Sequence, residues 1–429
     1  MSKLALFGGT PVIDRPLPPY NRIGAAEMDA VQEVMRTGTL SGFVGAWGAD
    51  FGGGPAVKEL ERLTREATGA RHAVSVNSAT SGLYAAMAAV GIGPGDEVIV
   101  PPYTMSATVM APLAYGGVPV FADIEPDHFC LDPARVAAAI TERTRAIIVV
   151  NLFGHPAELA RLRALADERG IFLVEDNAQA PLVTEHGRHA GTIGHIGVFS
   201  LNRHKHIQCG EGGICTTDDE RLAHKLMAVR NHGENVVEAL GLEGEPNIIG
   251  QNYRLTDLCA AVGAVQMRRA RELIDARIAL AEAVTDAFAG RAGITPPKVR
   301  DGCTHAYYVW AARFDAAAAG CSREAFVAAL SAEGLPVRGG YLAPLYNLPV
   351  FRARTGIGRD GWPLNLSERT YAPGLCPVAE RMHEHELLEF HPCAWDPDAD
   401  TVARFADAVA KVHDNRAELA GWSAAPKVA

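Results

Sequence analysis

The sequence predicts an α/β protein, with a mostly parallel sheet flanked by helices in a large domain and a smaller α+β domain at the C-terminal end. Short apolar runs alternate with alanine-rich helical stretches between residues 57 and 217, which is typical of a parallel sheet covered on both faces. The later part of the chain has fewer and more widely spaced strand candidates. Its length of 429 residues also exceeds that of one ordinary domain.

The strands of the large domain are predicted at apolar runs that end in turn residues. These runs cover residues 97–101, 119–124, 146–154, 171–176, 197–201 and 213–218. Helices are predicted between them, among others over 82–92 and 158–170. In such a sheet the groups that act on ligands lie at the carboxyl ends of the strands, where loops enter helices.

The segments around the sheet divide the chain into an arm and two domains. Residues 1–25 are rich in proline and glycine and are expected to form an extended N-terminal arm. The large domain is then expected to cover 26–270 and the small domain 271–429. A helical pattern begins near Ala25, and four of its residues are predicted to face inward, namely Ala26, Met28, Val31 and Val34.

Three other segments have patterns that predict a secondary structure or a loop. Residues 255–290 are predicted to form one long helix or two successive helices, and 306–314 to form a strand. The segment Ser41–Pro55 contains many glycines and three aromatic residues, which predicts a mobile loop.

The composition excludes several classes of protein. With 48% hydrophobic and 21% charged residues, the chain is not a mostly disordered one, and its net charge of −10 argues against a nucleic-acid binder. No apolar run is long enough for a membrane span, and the first residues lack a signal peptide, so a cytoplasmic protein is expected. The eight cysteines contain no C-x-x-C, and His383–His391 does not contain H-E-x-x-H, so no metal site is expected.

A lysine beyond a strand end is the most informative feature. Lys205 follows the run that ends near Ser200 and precedes the turn GEGG and another strand. Burial and neighbouring cations depress the pKa of such a lysine, which yields an amine able to attack an aldehyde and to move a proton. Arg203, His204 and His206 flank it, so the alternative is a solvated basic cluster.

A second candidate is an aspartate at the end of the run IFLVED. Asp176 would have its carboxylate buried there, and a buried carboxylate needs a partner. The protonated pyridine nitrogen of pyridoxal phosphate fits this need, and a structural ion pair is the alternative. Gln179 could then reach the phenolic oxygen of the same ring. Asp176 and Lys205 are 29 positions apart, which is ample for a hairpin to bring them to opposite edges of one ring.

Two further segments are compatible with phosphate binding. VNSATSGL (76–83) places hydroxyl-bearing residues between a strand end and a helix, where backbone N–H groups form a phosphate cradle. Simple capping of the helix by Ser78 or Thr80 explains the same pattern. In GQNYRLTD (250–257), Asn252 and Arg254 have no evident apolar role, although capping by Thr256 or Asp257 explains part of this segment.

The segments NSATSG, PPYTMSAT, VEDNAQA, FSLNRHKHIQCGEGG and QNYRLTD together resemble the DegT/StrS-type sugar aminotransferases, which are fold type I enzymes dependent on pyridoxal phosphate. The resemblance covers nearly the whole chain. It implies that Lys205 forms the Schiff base, that Asp176 contacts the pyridine nitrogen and that Gln179 lies beside the ring hydroxyl.

The same resemblance implies the phosphate ligands and a partner. Thr80, Ser81 and Ser200 match phosphate ligands, and Asn252 matches an asparagine that reaches the phosphate from the neighbouring subunit, which implies a homodimer with two shared sites. The chain has Met105 where an aromatic residue often stacks on the cofactor, so either Met105 or Tyr103 is expected to cover the ring. It also has Ala79 where glycine is common.

The activity implied is transfer of an amino group from an amino acid, with glutamate expected, to a keto-sugar carried on a nucleotide diphosphate or to a related cyclitol. The candidates for substrate contact are His305, Tyr307, Arg338 and Tyr341, together with the Ser41–Pro55 loop. The alternatives are a dehydratase or another lyase that uses the same cofactor, and a non-catalytic sensor. A subgroup of relatives replaces the lysine with histidine and performs dehydration, so Lys205 favours amino transfer.

Overall fold

The computed structural model describes residues 2–423 and confirms the predicted architecture, with a mostly parallel seven-stranded sheet flanked by helices and a smaller antiparallel sheet towards the C-terminal end. The strands are β1 (His72–Val76), β2 (Glu97–Val100), β3 (Val118–Phe121), β4 (Thr144–Val150), β5 (Phe172–Asp176), β6 (Thr184–Glu185), β7 (Arg188–His189), β8 (Ile196–Ser200), β9 (Gly213–Thr217), β10 (Ile294–Thr295), β11 (Trp310–Phe314), β12 (Arg338–Gly339) and β13 (Leu387–Phe390).

Helices alternate with strands along the chain from β1 to β5. The helices are α1 (Ala25–Thr37), α2 (Pro55–Thr68), α3 (Ala79–Ala89), α4 (Ala107–Ala114), α5 (Pro133–Ala139), α6 (Leu159–Arg169), α7 (Glu220–Arg230), α8 (Asp257–Arg268), α9 (Ala270–Phe288), α10 (Ala316–Ala319), α11 (Arg323–Ala332), α12 (Pro349–Arg352), α13 (Pro377–Arg381), α14 (Ala399–Ala403) and α15 (Phe405–Asp414). None of the helices in residues 2–423 has the length and apolar character needed to cross a membrane.

The large sheet has the strand order β1-β9-β8-β5-β4-β2-β3. Its neighbours pair in parallel except where β9 pairs with β1 and with β8. The six apolar runs of the sequence correspond to β2, β3, β4, β5, β8 and β9. These strands are almost continuously buried, as expected for a sheet with helices on both faces. The carboxyl ends of the parallel strands therefore open along one edge, and this edge carries the site described below.

Side-chain caps fix where several helices begin. The Ser78 hydroxyl accepts a hydrogen bond from the Ser81 N–H at the start of α3, and the Thr256 hydroxyl accepts one from the Cys259 N–H at the start of α8. The predicted helical segment 255–290 is two successive helices, because the backbone leaves the helical geometry at Arg269, between α8 and α9.

Two of the four residues of α1 that were predicted to face inward do not do so. Ala26 and Met28 are exposed, whereas Glu27, which lies between them, is buried. The Glu27 carboxylate accepts hydrogen bonds from the Gln266 side chain at 2.6 Å and from the Gly24 N–H at 2.8 Å, so the helix turns its capping carboxylate, not Met28, towards α8.

The Ser41–Pro55 loop is anchored at several points, although its composition predicted a mobile loop. The Asn231 side chain donates to the carbonyls of Val44 and Phe51, both at 2.9 Å. The Asp257 carboxylate accepts from the Gly42 N–H at 2.8 Å. The Phe51 ring is buried. The buried side chains of Asn231 and Asp257 form their hydrogen bonds with the backbone of this loop. These bonds fix a glycine-rich segment whose local sequence would not fix it.

The second core belongs to the small sheet, whose strand order is β10-β11-β13-β12. Leu4, Ile13 and Leu17 of the N-terminal arm are buried in this core beside Trp310 and Phe390. The arm thus packs against the C-terminal part of the chain. The predicted strand at 306–314 begins only at Trp310, and the left-handed backbone of Tyr307, with a φ of 52°, interrupts an extended chain before it.

Candidate active site

A cavity of about 260 Å³ opens at the carboxyl ends of β4, β5 and β8 and at the start of α3, as the sheet type predicts. It is lined by seven residues that the sequence singled out, namely Thr80, Met105, Asp176, Gln179, Ser200, Lys205 and Tyr341. It is also lined by residues that sequence reasoning did not select as ligands, among them Thr104, Asn202, Glu211 and Tyr308. Side chains from distant parts of the chain therefore converge on one small volume.

The N-terminus of α3 forms one wall of the cavity. Ser78 and Thr80 line it, whereas Ser81 does not, because the Ser81 hydroxyl is bonded to the side chains of Ser78 and Asn77. Ala79 begins the helix with ordinary helical geometry, so this turn does not need the glycine that is common there. Gly213 is required instead: a Cβ at this position would lie 2.6 Å from the Ala79 nitrogen.

The Asp176 carboxylate lies at the end of β5 and is 5% exposed. One of its oxygens accepts a hydrogen bond from the Thr108 hydroxyl at 2.9 Å, and the other accepts one from the Ala178 N–H at 3.0 Å. Burial raises the pKa of this carboxyl, and the two hydrogen bonds and the charge of Lys205 oppose that rise. Asp176 and Lys205 face the same cavity without forming an ion pair, so the carboxylate can receive a cationic ligand group.

Lys205 lines the same cavity from a loop between β8 and β9. Burial lowers the pKa of Lys205 from 10.5 to about 8, while Coulombic attraction to Asp176 acts in the opposite direction. A substantial fraction of this amine is therefore neutral near physiological pH, and a neutral amine is nucleophilic. The solvated basic cluster that the flanking residues suggested does not describe Lys205, although His204 and Arg203 are exposed.

Gln179 is held so that its amide nitrogen faces the cavity. The Phe153 N–H donates to Gln179 Oε1 at 2.8 Å, and Gln179 Nε2 donates to the Tyr341 hydroxyl at 3.1 Å. Burial raises the pKa of Tyr341 to about 12, so this side chain remains a neutral phenol. Since its oxygen already accepts a hydrogen bond, its own proton is available for a ligand.

Met105, and not Tyr103, reaches the cavity. Tyr103 is fully buried behind it, where its hydroxyl accepts a hydrogen bond from the Tyr341 N–H at 3.0 Å and its ring packs edge-on against the Tyr341 ring. The Met105 side chain is 52% exposed and lines the cavity, and its sulfur accepts from the Ala107 N–H at 3.0 Å. Of the two candidates for covering a bound ring, the structure therefore favours Met105.

Three of the four residues selected for substrate contact lie outside the cavity. His305 and Tyr307 are buried and stack on each other with ring centroids 3.8 Å apart, and Arg338 is exposed on β12. Tyr341 is the exception, since it lines the cavity. The backbone of Tyr307 has a φ of 52°, which turns this side chain into the second core and leaves Tyr308 facing Lys205.

Asn252 also lies away from the cavity of its own chain. Its side chain is exposed, its backbone forms a bridge with Asn231, and its carbonyl accepts a weak hydrogen bond from the Asn77 side chain at 3.4 Å. Arg254, in the same segment, donates to the Asn231 side chain at 2.7 Å and so has a structural role.

Comparisons with known proteins match the chain to a family of aminotransferases. The model of the DegT/DnrJ/EryC1/StrS aminotransferase family matches residues 21–387. The chain is 34% identical to the L-glutamine:2-deoxy-scyllo-inosose aminotransferase of Streptoalloteichus tenebrarius over 97% of this chain and 99% of that protein. It is 33% identical to the spore coat polysaccharide biosynthesis protein SpsC of Bacillus subtilis over 86% of this chain and 95% of that protein.

Solved structures give the same result. DesI, crystallised in the presence of its TDP-sugar product, superposes with a TM-score of 0.80 at 31% identity and covers 97% of each chain. An aminotransferase from Psychrobacter cryohalolentis superposes with a TM-score of 0.80 at 27% identity, over 93% of this chain and 99% of that one. The chain, in which a lysine and a buried aspartate line one cavity, therefore belongs to the DegT/DnrJ/EryC1/StrS aminotransferase family.

Proposed function

We propose that this aminotransferase uses pyridoxal 5'-phosphate to move an amino group from an amino acid, with glutamate expected, to the ketone of a polyhydroxylated ring in amino-sugar biosynthesis. The observation that carries the proposal is that Lys205 and Asp176 line one small cavity without pairing with each other. Such a pair suits a flat heteroaromatic ring with an aldehyde at one edge and a basic nitrogen at the other.

The residues of the cavity fit this cofactor. The Asp176 carboxylate, already oriented by Thr108 and Ala178, would accept a hydrogen bond from the protonated ring nitrogen. The N-terminus of α3 with Thr80, and the Ser200 hydroxyl, would hold the phosphate. Gln179 Nε2 would donate to the ring hydroxyl, and Met105 would cover one face. When bound, the cofactor supplies a reactive aldehyde and a ring that accepts electrons.

The chain's own groups would carry the proton steps. Burial lowers the pKa of Lys205 to about 8, and a pKa near neutrality suits a general acid and base that acts in neutral solution. The Tyr308 ring beside it and the Gln179–Tyr341 pair limit the positions that the amine can reach. These contacts would keep the proton transfer within the cavity and away from bulk water.

The acceptor class is proposed from the relatives together with the cavity. A nucleotide-linked keto-sugar and a cyclitol ketone are the two candidates, since DesI was crystallised with a TDP-sugar product and an aminotransferase of 2-deoxy-scyllo-inosose aligns over 97% of this chain. We retain the nucleotide-linked keto-sugar as the first candidate and the cyclitol as the second. A dehydratase of the same fold is the remaining alternative.

A panel of acceptor substrates distinguishes the two aminotransferase activities from each other and from the dehydratase. The protein is incubated with pyridoxal phosphate, an amino donor, and either nucleotide-linked keto-sugars or cyclitol ketones, and the oxo acid formed is measured against the amino product. An aminotransferase gives the two in equal amounts, and the Lys205→Ala variant gives neither, whereas Lys298→Ala, which changes an exposed lysine, remains active. A protein that shows no violet absorption band with the cofactor contradicts the proposal. Product formed without consumption of the donor identifies the dehydratase.

We also propose a homodimer in which Asn252 contributes to the partner's cavity. Asn252 is exposed and lies outside the cavity of its own chain. The surface around α1 and the Ser41–Pro55 loop exposes six apolar side chains, those of Ile23, Met28, Met35, Leu40, Val44 and Trp47. An exposed apolar surface of this kind is typical of an interface, and a second copy of the chain is the partner that would complete both sites.

A further inference from the structure

Lys205 lies on the part of the β8–β9 hairpin that extends beyond the sheet. Near the base of this loop the chain is still paired, since the Leu201 N–H donates to the Gly212 carbonyl and the Arg203 N–H to the Gly210 carbonyl, both at 2.9 Å. At the tip, the Lys205 N–H bonds only within the loop, to the Asn202 carbonyl. The sheet therefore does not determine the position of Lys205, and contacts from elsewhere must do so.

Two such contacts hold the residue that follows Lys205. The Tyr20 hydroxyl donates to the His206 carbonyl at 2.8 Å, and the His206 ring nitrogen Nε2 bonds to the Ala306 carbonyl at 2.8 Å. The His206 side chain is fully buried, and burial lowers its pKa to about 4, so the ring is neutral and donates from Nε2 to the carbonyl. Both the backbone and the side chain of His206 are thus tethered, one to the arm and the other to the segment before β11.

Tyr20 is itself held in place by the small domain. Its N–H donates to the Ala394 carbonyl at 2.9 Å, and its ring lies 4.4 Å from the guanidinium of Arg277 in α9. Arg277 also donates to the Asp396 carboxylate at 2.9 Å and to the Pro392 carbonyl at 3.0 Å. Burial raises the pKa of Tyr20 to about 12, so its hydroxyl remains a donor throughout the range in which Lys205 titrates.

From this connected set of contacts we infer that Tyr20 of the N-terminal arm is a positioning residue for Lys205, acting through its hydrogen bond to the His206 carbonyl. The inference rests on the proposed role of Lys205, but the contacts themselves do not depend on any cofactor. Losing the bond frees one side of the loop tip, so the amine spends less time in the buried position beside Tyr308. Displacements of about 1 Å in such groups can reduce rates by about a hundredfold.

The test uses a pair of matched variants in the full-length protein. Tyr20→Phe removes only the hydroxyl and keeps the ring against Arg277. Tyr371→Phe removes a similar bond, from a buried tyrosine hydroxyl to the Pro119 carbonyl at 2.9 Å, at a place that does not line the cavity. Amide hydrogen exchange is compared over residues 201–210. The pKa of the Lys205 amine is measured by competitive acylation and mass spectrometry after removal of any cofactor.

We expect Tyr20→Phe to accelerate exchange in 201–210 by about tenfold and to raise the pKa of Lys205 above its value of about 8, because the amine becomes better hydrated. The rate at which added pyridoxal phosphate produces the violet band should fall by about tenfold. Tyr371→Phe should change none of these.

Unchanged exchange and an unchanged pKa in Tyr20→Phe would overturn the inference, and so would equal changes in the two variants. If the exchange and the pKa respond as expected while neither variant nor the wild type forms the violet band, the positioning role stands and the proposed cofactor chemistry fails.

Discussion

The Lys205 amine nitrogen lies 4.1 Å from the centroid of the Tyr308 ring. This distance is within the range of a cation–π contact, so the ring stabilises the protonated amine while its bulk keeps water from it. Tyr308 comes from the segment before β11 and Lys205 from the loop after β8, so the contact joins the small-sheet part of the chain to the large sheet. The reactivity of Lys205 thus depends on a residue about a hundred positions later in the sequence.

Substitutions of Tyr308 should separate the effect of the ring from that of the hydroxyl. Tyr308→Phe keeps the ring over the amine, and we expect the pKa of Lys205 to stay near 8. Tyr308→Ala opens this side of the cavity to water, so the pKa should rise towards that of an exposed lysine, because the loss of burial outweighs the loss of the cation–π contact. Competitive acylation of Lys205 measures both, and a lower pKa in Tyr308→Ala would contradict this reasoning.

Thr108 should control how well Asp176 holds a cationic ring. Its hydroxyl donates to the carboxylate at 2.9 Å, and hydrogen bonds to charged groups contribute about 1.5–3 kcal/mol. Thr108→Val preserves the shape and should weaken binding of pyridoxal phosphate by about tenfold or more, measured by absorption titration. Thr108→Ser restores a hydroxyl and is the matched control, so equal losses in both variants would assign the effect to packing.

The burial of Lys205 should make stability depend on pH in alkaline solution. The pKa is about 8 in the folded protein and 10.5 without burial, so the unfolded chain binds more protons between these values and the folded state gains stability as pH rises through them. Below pH 8 the protonated amine is buried at its full cost, which is at most about 3 kcal/mol.

This dependence is measured by urea unfolding of the cofactor-free protein. Lys205→Met lacks the titration, so its advantage over the wild type should be largest at about pH 7 and should shrink by about pH 10. The same change at exposed Lys298 is the control for removing a lysine that is not buried. A constant difference for Lys205→Met would mean that the amine is not desolvated in the folded state.

Mixed dimers should show whether Asn252 acts across the interface. Neither Lys205→Ala nor Asn252→Ala should be active alone if each site needs Lys205 from one subunit and Asn252 from the other. After the two variants are unfolded together and refolded, half of the dimers are mixed and each has one intact site, so about a quarter of the wild-type activity should return. No recovery would place Asn252 in the site of its own chain, and an active Asn252→Ala variant would place it in neither site.

The positions of the strand-end residues follow from the sequence for a local reason. Asp176 terminates an apolar run and Lys205 follows one, and in a sheet covered on both faces such runs become buried strands whose carboxyl ends share an edge. Thr80 and Gln179 follow strand ends and Ser200 is the last residue of β8, which is why the sequence identified them as candidates and why they line the cavity.

Which of two neighbouring residues lines the site does not follow from the sequence, because it depends on backbone angles and on packing between distant segments. The left-handed backbone at Tyr307 is what leaves Tyr308, and not Tyr307, beside Lys205. Thr108 bonds to Asp176 across 68 positions of sequence, and Tyr20 bonds to His206 across 186. Periodicity and composition describe each segment by itself. They therefore determined that Asp176 ends a buried strand and that Lys205 lies in the loop between two strands, whereas only the packing of the arm, helices and second core decided which side chains orient them.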